Sequence, residues 1–396
     1  MKSTPITILI MVFLLACNKE NDLTEKKLVL KELWSIPADN RFLGQDGVIY
    51  KDEYLLFAQT EDCQWFLEAY DLRSLEKKWE HKFEDFLGGW ISKIRVGDDI
   101  LYLDDGKYVI EVFDLIKKKS IKTVRFLDVP EISSTRLSSD YQVFSVYHDG
   151  KVYRSLTDRS DDRAMILSID TKTGALEKAF EWENDLTYRQ LFGTPLFLED
   201  EVNGGYDMFL TVSYYQSLNP PDATTLFISV NDDNSINWMD TLETNFLPPA
   251  EYPPIAWKNA IILNGRKSYN KITGQRNWTS DNQCSGRIAN VEDELYFIDT
   301  EMSRIDGNNG NQIWKSRFLT RLSILNHPTV FKDKLFYIRD DNDRGSGPLV
   351  LLNRVDGERV SFEPFNYGDV GHPQFYEKEN IYITHQAERI IAFTFE

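Results

Sequence analysis

The sequence predicts an all-β chain, an eight-bladed β-propeller of four-stranded antiparallel blades whose ring is closed by the N-terminal strand. Three observations lead there. A hairpin wording recurs along the chain, with Gly at the turn and Trp shortly after it in the clearest copies. A second pair of short alternating strands precedes such hairpins. After the N-terminal leader, no stretch of about ten residues or more carries a helical period.

The clearest hairpins are Tyr269–Trp278 (YNKITGQRNW) and Ile305–Trp314 (IDGNNGNQIW), followed by Ile169–Leu176 (IDTKTGAL). Leu352–Val360 (LNRVDGERV) and Tyr70–Trp79 (YDLRSLEKKW) are degenerate copies. In each, β-formers flank a turn that calls for positive φ, which Gly supplies without steric cost in all but Tyr70–Trp79. The upstream strand pairs are written in Pro254–Leu263 (PIAWKNAIIL) and Thr329–Ile338 (TVFKDKLFYI), where Lys-Asn or Lys-Asp breaks two apolar runs. The outer-strand series runs Trp34, Trp79, a degenerate copy near Val124–Phe126, Phe180, Trp238, Trp278, Trp314 and Phe362. Spread over residues 28–396, that series allots about 46 residues to a unit, the size of a propeller blade. The last strands, Ile381–Thr384 and Arg389–Phe393, have no Trp strand after them, and Lys31–Ile36 has no strands before it. The N-terminal strand is therefore expected to complete the last blade and remove the open sheet edge.

Ahead of the repeats, residues 1–16 read as a signal peptide: Lys2, then an apolar run from Ile6 to Ala16 that is too short to span a bilayer. Leu14-Leu15-Ala16-Cys17 resembles a bacterial lipobox, which implies lipidation of Cys17. Acyl chains there would anchor the chain to a membrane surface. The absence of Asp after Cys17 favours the outer membrane by resemblance to bacterial sorting rules. Residues 17–27 form a charged tether, and residues 28–396 are read as one domain. Cys63 and Cys284 remain, and are expected as buried thiols rather than a disulfide.

The Asn/Asp-x-x-Thr/Asn-Gly-x-x-x-Trp wording resembles the quinoprotein-type (PQQ-like) propeller repeat. Together with the lipobox and the length, the chain is similar in architecture to the propeller lipoprotein of the outer-membrane barrel-assembly machinery. That resemblance implies a protein partner in the cell envelope, and no catalysis.

Composition narrows the function classes. With 27% charged and 42% hydrophobic residues, the chain is neither disordered nor a polytopic membrane protein. Against 63 Asp and Glu stand 45 Lys and Arg, a net charge of -18 that repels nucleic acid. His81, His148, His327, His372 and His385 form no zinc-ligand spacing, and no Gly-x-Ser-x-Gly occurs. No catalytic residue, metal or cofactor is expected. A quinoprotein enzyme, by resemblance, would bring a Trp floor, Ca²⁺ carboxylates and often adjacent cysteines. This chain has no neighbouring cysteines, and its repeat tryptophans read as packing.

Two surface readings remain. His327 and His372 each precede a Pro at the start of an innermost strand, with Thr194 and Asp46 in comparable places. These four mark a channel mouth, where the imidazoles either bind a metal or an anion or contact channel water. Separately, lengthened loops at Tyr153–Ser160, Tyr214–Pro221 and Asp340–Pro348 are expected between second and third strands, so they share one face. Residues in the links, Trp182, Tyr188 and Tyr252, join Tyr153, Arg154, Tyr214 and Tyr215 as the candidate binding face. The segment Arg339–Gly347 echoes a calcium loop but lacks the closing Glu, and reads as a solvated hairpin. The expected function is a monomeric, membrane-anchored scaffold that binds protein, in outer-membrane protein assembly. The alternatives are a glycan- or peptide-binding surface lipoprotein and a quinoprotein-like enzyme using the channel.

Overall fold

The computed structural model describes residues 30–395, apart from 38–41, 44–46, 61–63, 84–92, 105–108, 130–144, 159–162, 183–188, 201–204, 216–222, 243–253, 264–266, 281–286, 299–300, 318–328, 332–333, 339–345, 348, 361–369, 377–379 and 387–388. Among the described residues every element is a strand except one 3-10 turn, Phe126–Asp128.

The chain opens with β1 (Leu30–Pro37). Sheet 1 holds β2 (Phe42–Leu43), β3 (Val48–Tyr50), β4 (Glu53–Gln59), β5 (Trp65–Asp71) and β6 (Lys77–Phe83), with β2 and β3 both pairing β4. Sheet 2 runs β7 (Lys93–Gly97), β8 (Ile100–Asp104), β9 (Val109–Asp114) and β10 (Lys119–Arg125). Sheet 3 is β11 (Val146–His148), β12 (Lys151–Asp158), β13 (Arg163–Asp170) and β14 (Leu176–Glu181). Sheet 4 splits its first strand into β15 (Arg189–Phe192) and β16 (Leu196–Glu199), both on β17 (Tyr206–Tyr215), then adds β18 (Ala223–Asn231) and β19 (Ile236–Thr241). Sheet 5 is β20 (Ile255–Trp257), β21 (Ala260–Leu263), β22 (Lys267–Asn270) and β23 (Arg276–Thr279). Sheet 6 is β24 (Arg287–Val291), β25 (Glu294–Ile298), β26 (Glu301–Ile305) and β27 (Gln312–Arg317). Sheet 7 takes β28 (Thr329–Phe331), β29 (Lys334–Ile338), β31 (Leu349–Asn353) and β32 (Arg359–Val360), while the short β30 (Ser346–Gly347) leaves it to pair the next sheet. Sheet 8 is β33 (Val370–Tyr376), β34 (Ile381–Gln386) and β35 (Arg389–Phe395), with β1 as its last strand in antiparallel register on β35. All eight are antiparallel up-and-down sheets, which is what short alternating strands joined by tight turns produce.

The sheets pack face to face in chain order, through apolar side chains on both sides of most second and third strands. Leu55 and Phe57 of sheet 1 meet Leu101 and Phe113 of sheet 2, and Val112 of sheet 2 meets Met165 of sheet 3. The same continues from sheet 3 to 4 (Ile166 with Leu210), 4 to 5 (Phe227 with Ile261), 5 to 6 (Ile262 with Leu295) and 6 to 7 (Tyr296 with Leu352). Sheet 7 reaches sheet 8 through the β30–β33 pairing, and Ile383 and Ile390 of sheet 8 lie with Tyr54 and Leu56 of sheet 1.

A tryptophan fastens four of these junctions in one way. Trp278, after the bulge in β23, donates Nε1–H to the carbonyl of Gly307 in sheet 6 at 2.8 Å. Trp314 donates to Arg354 of sheet 7 at 2.8 Å, and Trp238 to Lys271 of sheet 5 at 3.2 Å. Trp34 of β1 donates to Leu72 of sheet 1 at 2.9 Å. Each accepting carbonyl follows the Asp or Asn that opens the turn between the third and fourth strands. That side chain caps the turn from within: Asn270 Oδ1 accepts from the N–H groups of Ile272 and Thr273, both at 3.0 Å. The turn closes at a left-handed residue on which the indole lies. At Gly310 (φ +74°) an added Cβ would stand 2.6 Å from the Trp278 ring, so a side chain is excluded by both backbone and neighbour.

Trp278→Ala is expected to cost about 3–5 kcal/mol of stability, since it removes a large buried ring and orphans a carbonyl. Gly310→Ala should destabilise in the same direction through the clash, and denaturant melts of both variants check this. Deleting residues 28–36 should lower the melting temperature far more than deleting 18–26, because only the first removes the strand on β35 and the Trp34 bond. Equal melting temperatures for the two truncations would refute that.

Candidate functional site

An up-and-down sheet sends its first and third turns to one face and its second to the other. The turn face is stitched from sheet to sheet. Tyr376 of sheet 8 donates to the carbonyl of Lys51 at 3.3 Å, Lys51 of sheet 1 pairs with Asp99 of sheet 2 at 3.0 Å, and Tyr147 of sheet 3 donates to Asp98 at 2.6 Å. Trp257 of sheet 5 donates to the carbonyl of Asp293 at 2.8 Å. Arg354 of sheet 7 grips Glu292 at 2.5 Å and Glu294 at 2.8 Å, with Arg304 on Glu294 at 2.6 Å. The opposite face carries the long connections, between β17 and β18 and between β29 and β31, each the second-to-third link of its sheet, whereas the loop expected at Tyr153–Ser160 is strand β12 as far as Asp158. The connection between β29 and β31 contributes β30 to β33.

Several residues expected on that second face are core instead. Tyr153 is 3% exposed, with its ring 4.3 Å from Phe197 and its hydroxyl 3.4 Å from that of Tyr206, and burial pushes its phenol well above the usual range. Tyr214 is 7% exposed and Trp182, half-buried, meets it edge-on at 6.5 Å. Arg154 is 3% exposed and bonds Asp104 Oδ2 at 2.7 Å. Alternation points these side chains into the junctions between sheets 2, 3 and 4, not out along the loop axis. Tyr215 ends β17 opposite Ala223, at the root of the long connection. Thr194 is buried in the break between β15 and β16, and His372 lies in β33 where the register shifts. Cys17, Asp46, Tyr188, Tyr252 and His327 lie outside the described residues, as do Cys63 and Cys284. So does most of the Arg339–Gly347 segment, of which Ser346 and Gly347 form β30.

What sequence reasoning missed is a polar link between the sheets. Asp104 Oδ2 accepts from Ser145 N at 2.9 Å, Ser145 Oγ at 2.6 Å and Arg154, while Arg95 donates to the Ser145 carbonyl at 3.0 Å. Ser155 Oγ donates to the Gly193 carbonyl of sheet 4 at 3.0 Å. The one signal was an Asp closing the apolar strand Ile100–Asp104. These groups hold one another in place and leave no free nucleophile or base. Nearby, His148 stacks on Phe197 at 4.9 Å and meets Tyr206 edge-on, and burial holds its imidazole below the usual histidine range.

No protein-family model and no curated protein sequence matches the chain. Solved structures do. BamB from Moraxella catarrhalis aligns with a TM-score of 0.57 at 12% identity, over 92% of this chain and 100% of that one. A europium-containing methanol dehydrogenase gives 0.62 at 10% identity, over 90% and 84%. Sqt1 from Saccharomyces cerevisiae gives 0.59 at 12%, over 92% and 99%. The fold is a β-propeller. It resembles those of BamB and the quinoprotein dehydrogenases, whose likeness at such identity concerns the fold alone.

Among the described residues no three His, Cys, Asp or Glu side chains converge. The repeat tryptophans Trp34, Trp238, Trp278 and Trp314 are committed to backbone carbonyls between sheets.

Because the folded pKa of His148 lies below 6.5, the unfolded chain binds more protons just below that pH. The stability its neutral form contributes is complete above about pH 6.5 and declines as pH falls toward the folded pKa. His148→Phe keeps the stack and should shrink the drop in melting temperature between about pH 7.5 and pH 5.5. An unchanged drop would place the titration elsewhere.

Proposed function

We propose that the chain is a lipid-anchored propeller of the bacterial outer membrane that binds another protein without catalysing a reaction, with outer-membrane protein assembly as its setting. In this reading the eight sheets are the eight blades of a closed ring. Trp34 supports closure: it joins sheet 8 to sheet 1 by the same indole-to-carbonyl bond that Trp238, Trp278 and Trp314 make between sheets adjacent in the chain.

The observation that carries the binding role is the asymmetry of the two faces. Turn-to-turn bonds consolidate one face, while departures from the repeat concentrate on the other, at the second-to-third links of sheets 4 and 7. Per-repeat insertions sharing a face commonly form the binding surface of a repeat protein. The fold likeness to BamB supports the same direction, as does the sequence resemblance to the propeller lipoprotein of the barrel-assembly machinery. A net charge of -18 suits a partner with a basic or mixed patch and an association rate that falls with salt.

Replacing residues 217–221 by a Gly-Ser link should remove the partner from pull-downs out of solubilised membranes. Lys172→Ala with Lys258→Ala, on the turn face, should leave it. The reverse result would mean that the wrong face has been chosen. Cys17→Ser should release the protein from the membrane fraction or leave it unprocessed, and wild-type protein without acyl label in metabolic tracing would refute the anchor.

A further inference from the structure

The repeat's tryptophan is missing at one junction whose receiving turn is intact. Trp79, Trp238, Trp278 and Trp314 each pair across the sheet with the residue two before the turn's Asp or Asn: Ala69, Ser229, Ser268 and Arg304. In sheet 2 that place, opposite Val112, is held by Lys122, again just after a bulge. The turn that would receive an indole persists in sheet 3, where Gly174 keeps φ +70°. Its nearest neighbours are the Ile121 carbonyl and the Lys122 Cβ, at 3.3 and 3.4 Å from an added Cβ, instead of a ring. A groove of about 670 Å³ runs along this place, lined by Ile121, Val124 and Leu176 together with Lys122, Arg125 and Asp128.

Two further properties define what fits there. β10 is the terminal strand of sheet 2, so one row of its backbone donors and acceptors faces away from β9. The strand reads KSIKTVR and follows Lys117 and Lys118, a basic stretch in a chain of net charge -18. Lys117 is engaged by Asp114 at 2.7 Å and Lys118 lies over the Trp79 ring at 5.1 Å. Lys119 and Lys122 are exposed and make no ion pair among the described residues. Lysine on an edge strand commonly guards against pairing with another edge. Here Lys122 lines a groove of mixed polar and apolar character and Lys119 stands on the same strand, so the edge favours an added strand of opposite charge.

We propose that this edge docks an extended acidic segment of a partner protein, added as a strand along β10 with an aromatic side chain seated where the repeat's indole is missing. The inference rests on the reading of the chain as a protein-binding propeller and names the chemistry of one partner segment. Main-chain bonds along the edge supply affinity, and the pocket with its lysines supplies selectivity.

The probe is a labelled synthetic peptide of about nine residues, alternating glutamate and threonine around a central tryptophan, with a lysine-for-glutamate twin. The mature chain should bind the glutamate peptide by fluorescence anisotropy, at least about tenfold tighter than the lysine twin, with amide exchange slowed over residues 119–125. Lys122→Trp restores the repeat's own residue, and should fill the groove and weaken binding at least about tenfold without lowering the melting temperature. Lys119→Glu with Lys122→Glu should weaken binding as much while leaving the groove open. No binding of the glutamate peptide, equal binding of both peptides, or a Lys122→Trp variant that binds like wild type overturns the proposal. The pull-down on residues 217–221 does not involve β10, so the scaffold reading fails separately.

Discussion

A buried indole must bury its ring and also find an acceptor for its N–H, and in this chain both needs are met by the neighbouring sheet's turn. Trp278 cannot bond the Gly307 carbonyl unless the turn after Asp306 closes tightly, and that turn cannot close beneath the ring if a side chain stands at Gly310. Asp306 in turn holds the loop from inside, accepting from Asn308 N at 2.9 Å. One contact thus ties hairpin geometry, strand register and sheet-to-sheet packing together. The bulge before each tryptophan turns the outer strand so that the ring faces the next sheet.

The junctions that depart from this rule are solved in other currencies. Between sheets 1 and 2, Trp79 donates to Glu53 at 2.9 Å, stacks on Phe113 and lies under Lys118, which takes the left-handed place at φ +54°. Between sheets 2 and 3 the indole gives way to Lys122, and that same junction holds the buried pair of Asp104 and Arg154. Such a pair adds little net stability against an apolar alternative, but leaving either partner alone is costly, so it specifies one alignment of the sheets. In sheet 3 the bulge moves along β14, and Phe180 follows it in place of a tryptophan.

The two faces divide the work. Close turns with charged and phenolic tips, such as Lys51, Asp99, Tyr147 and Asp98, bond their neighbours and stiffen one side. Burial, with Asp98 beside it, raises the Tyr147 phenol to about 12, so that bond persists as a neutral donor to a carboxylate across physiological pH. On the other side the connection between β29 and β31 contributes β30, which pairs with β33 of the next sheet.

Strand class, the four-strand unit and the place of each turn were legible in the sequence because they depend on local chemistry. Alternation, an Asp or Asn opening a turn, and Gly at the left-handed place act over a few residues, as in Tyr269–Trp278. The connections between β17 and β18 and between β29 and β31 lie where the sequence placed them, whereas in sheet 3 the expected loop Tyr153–Ser160 is strand as far as Asp158. Which side chains near them face outward was not legible. Tyr153, Arg154 and Tyr214 have the composition of an interface but lie in junctions, because every middle strand of such a sheet is covered on both faces and alternation alone does not tell inside from outside. Nor does spacing reveal that Asp104 meets Arg154 across 50 residues, or that Lys122 occupies an indole's place. Those depend on which sheet stands next to which, and only packing of the whole chain decides that.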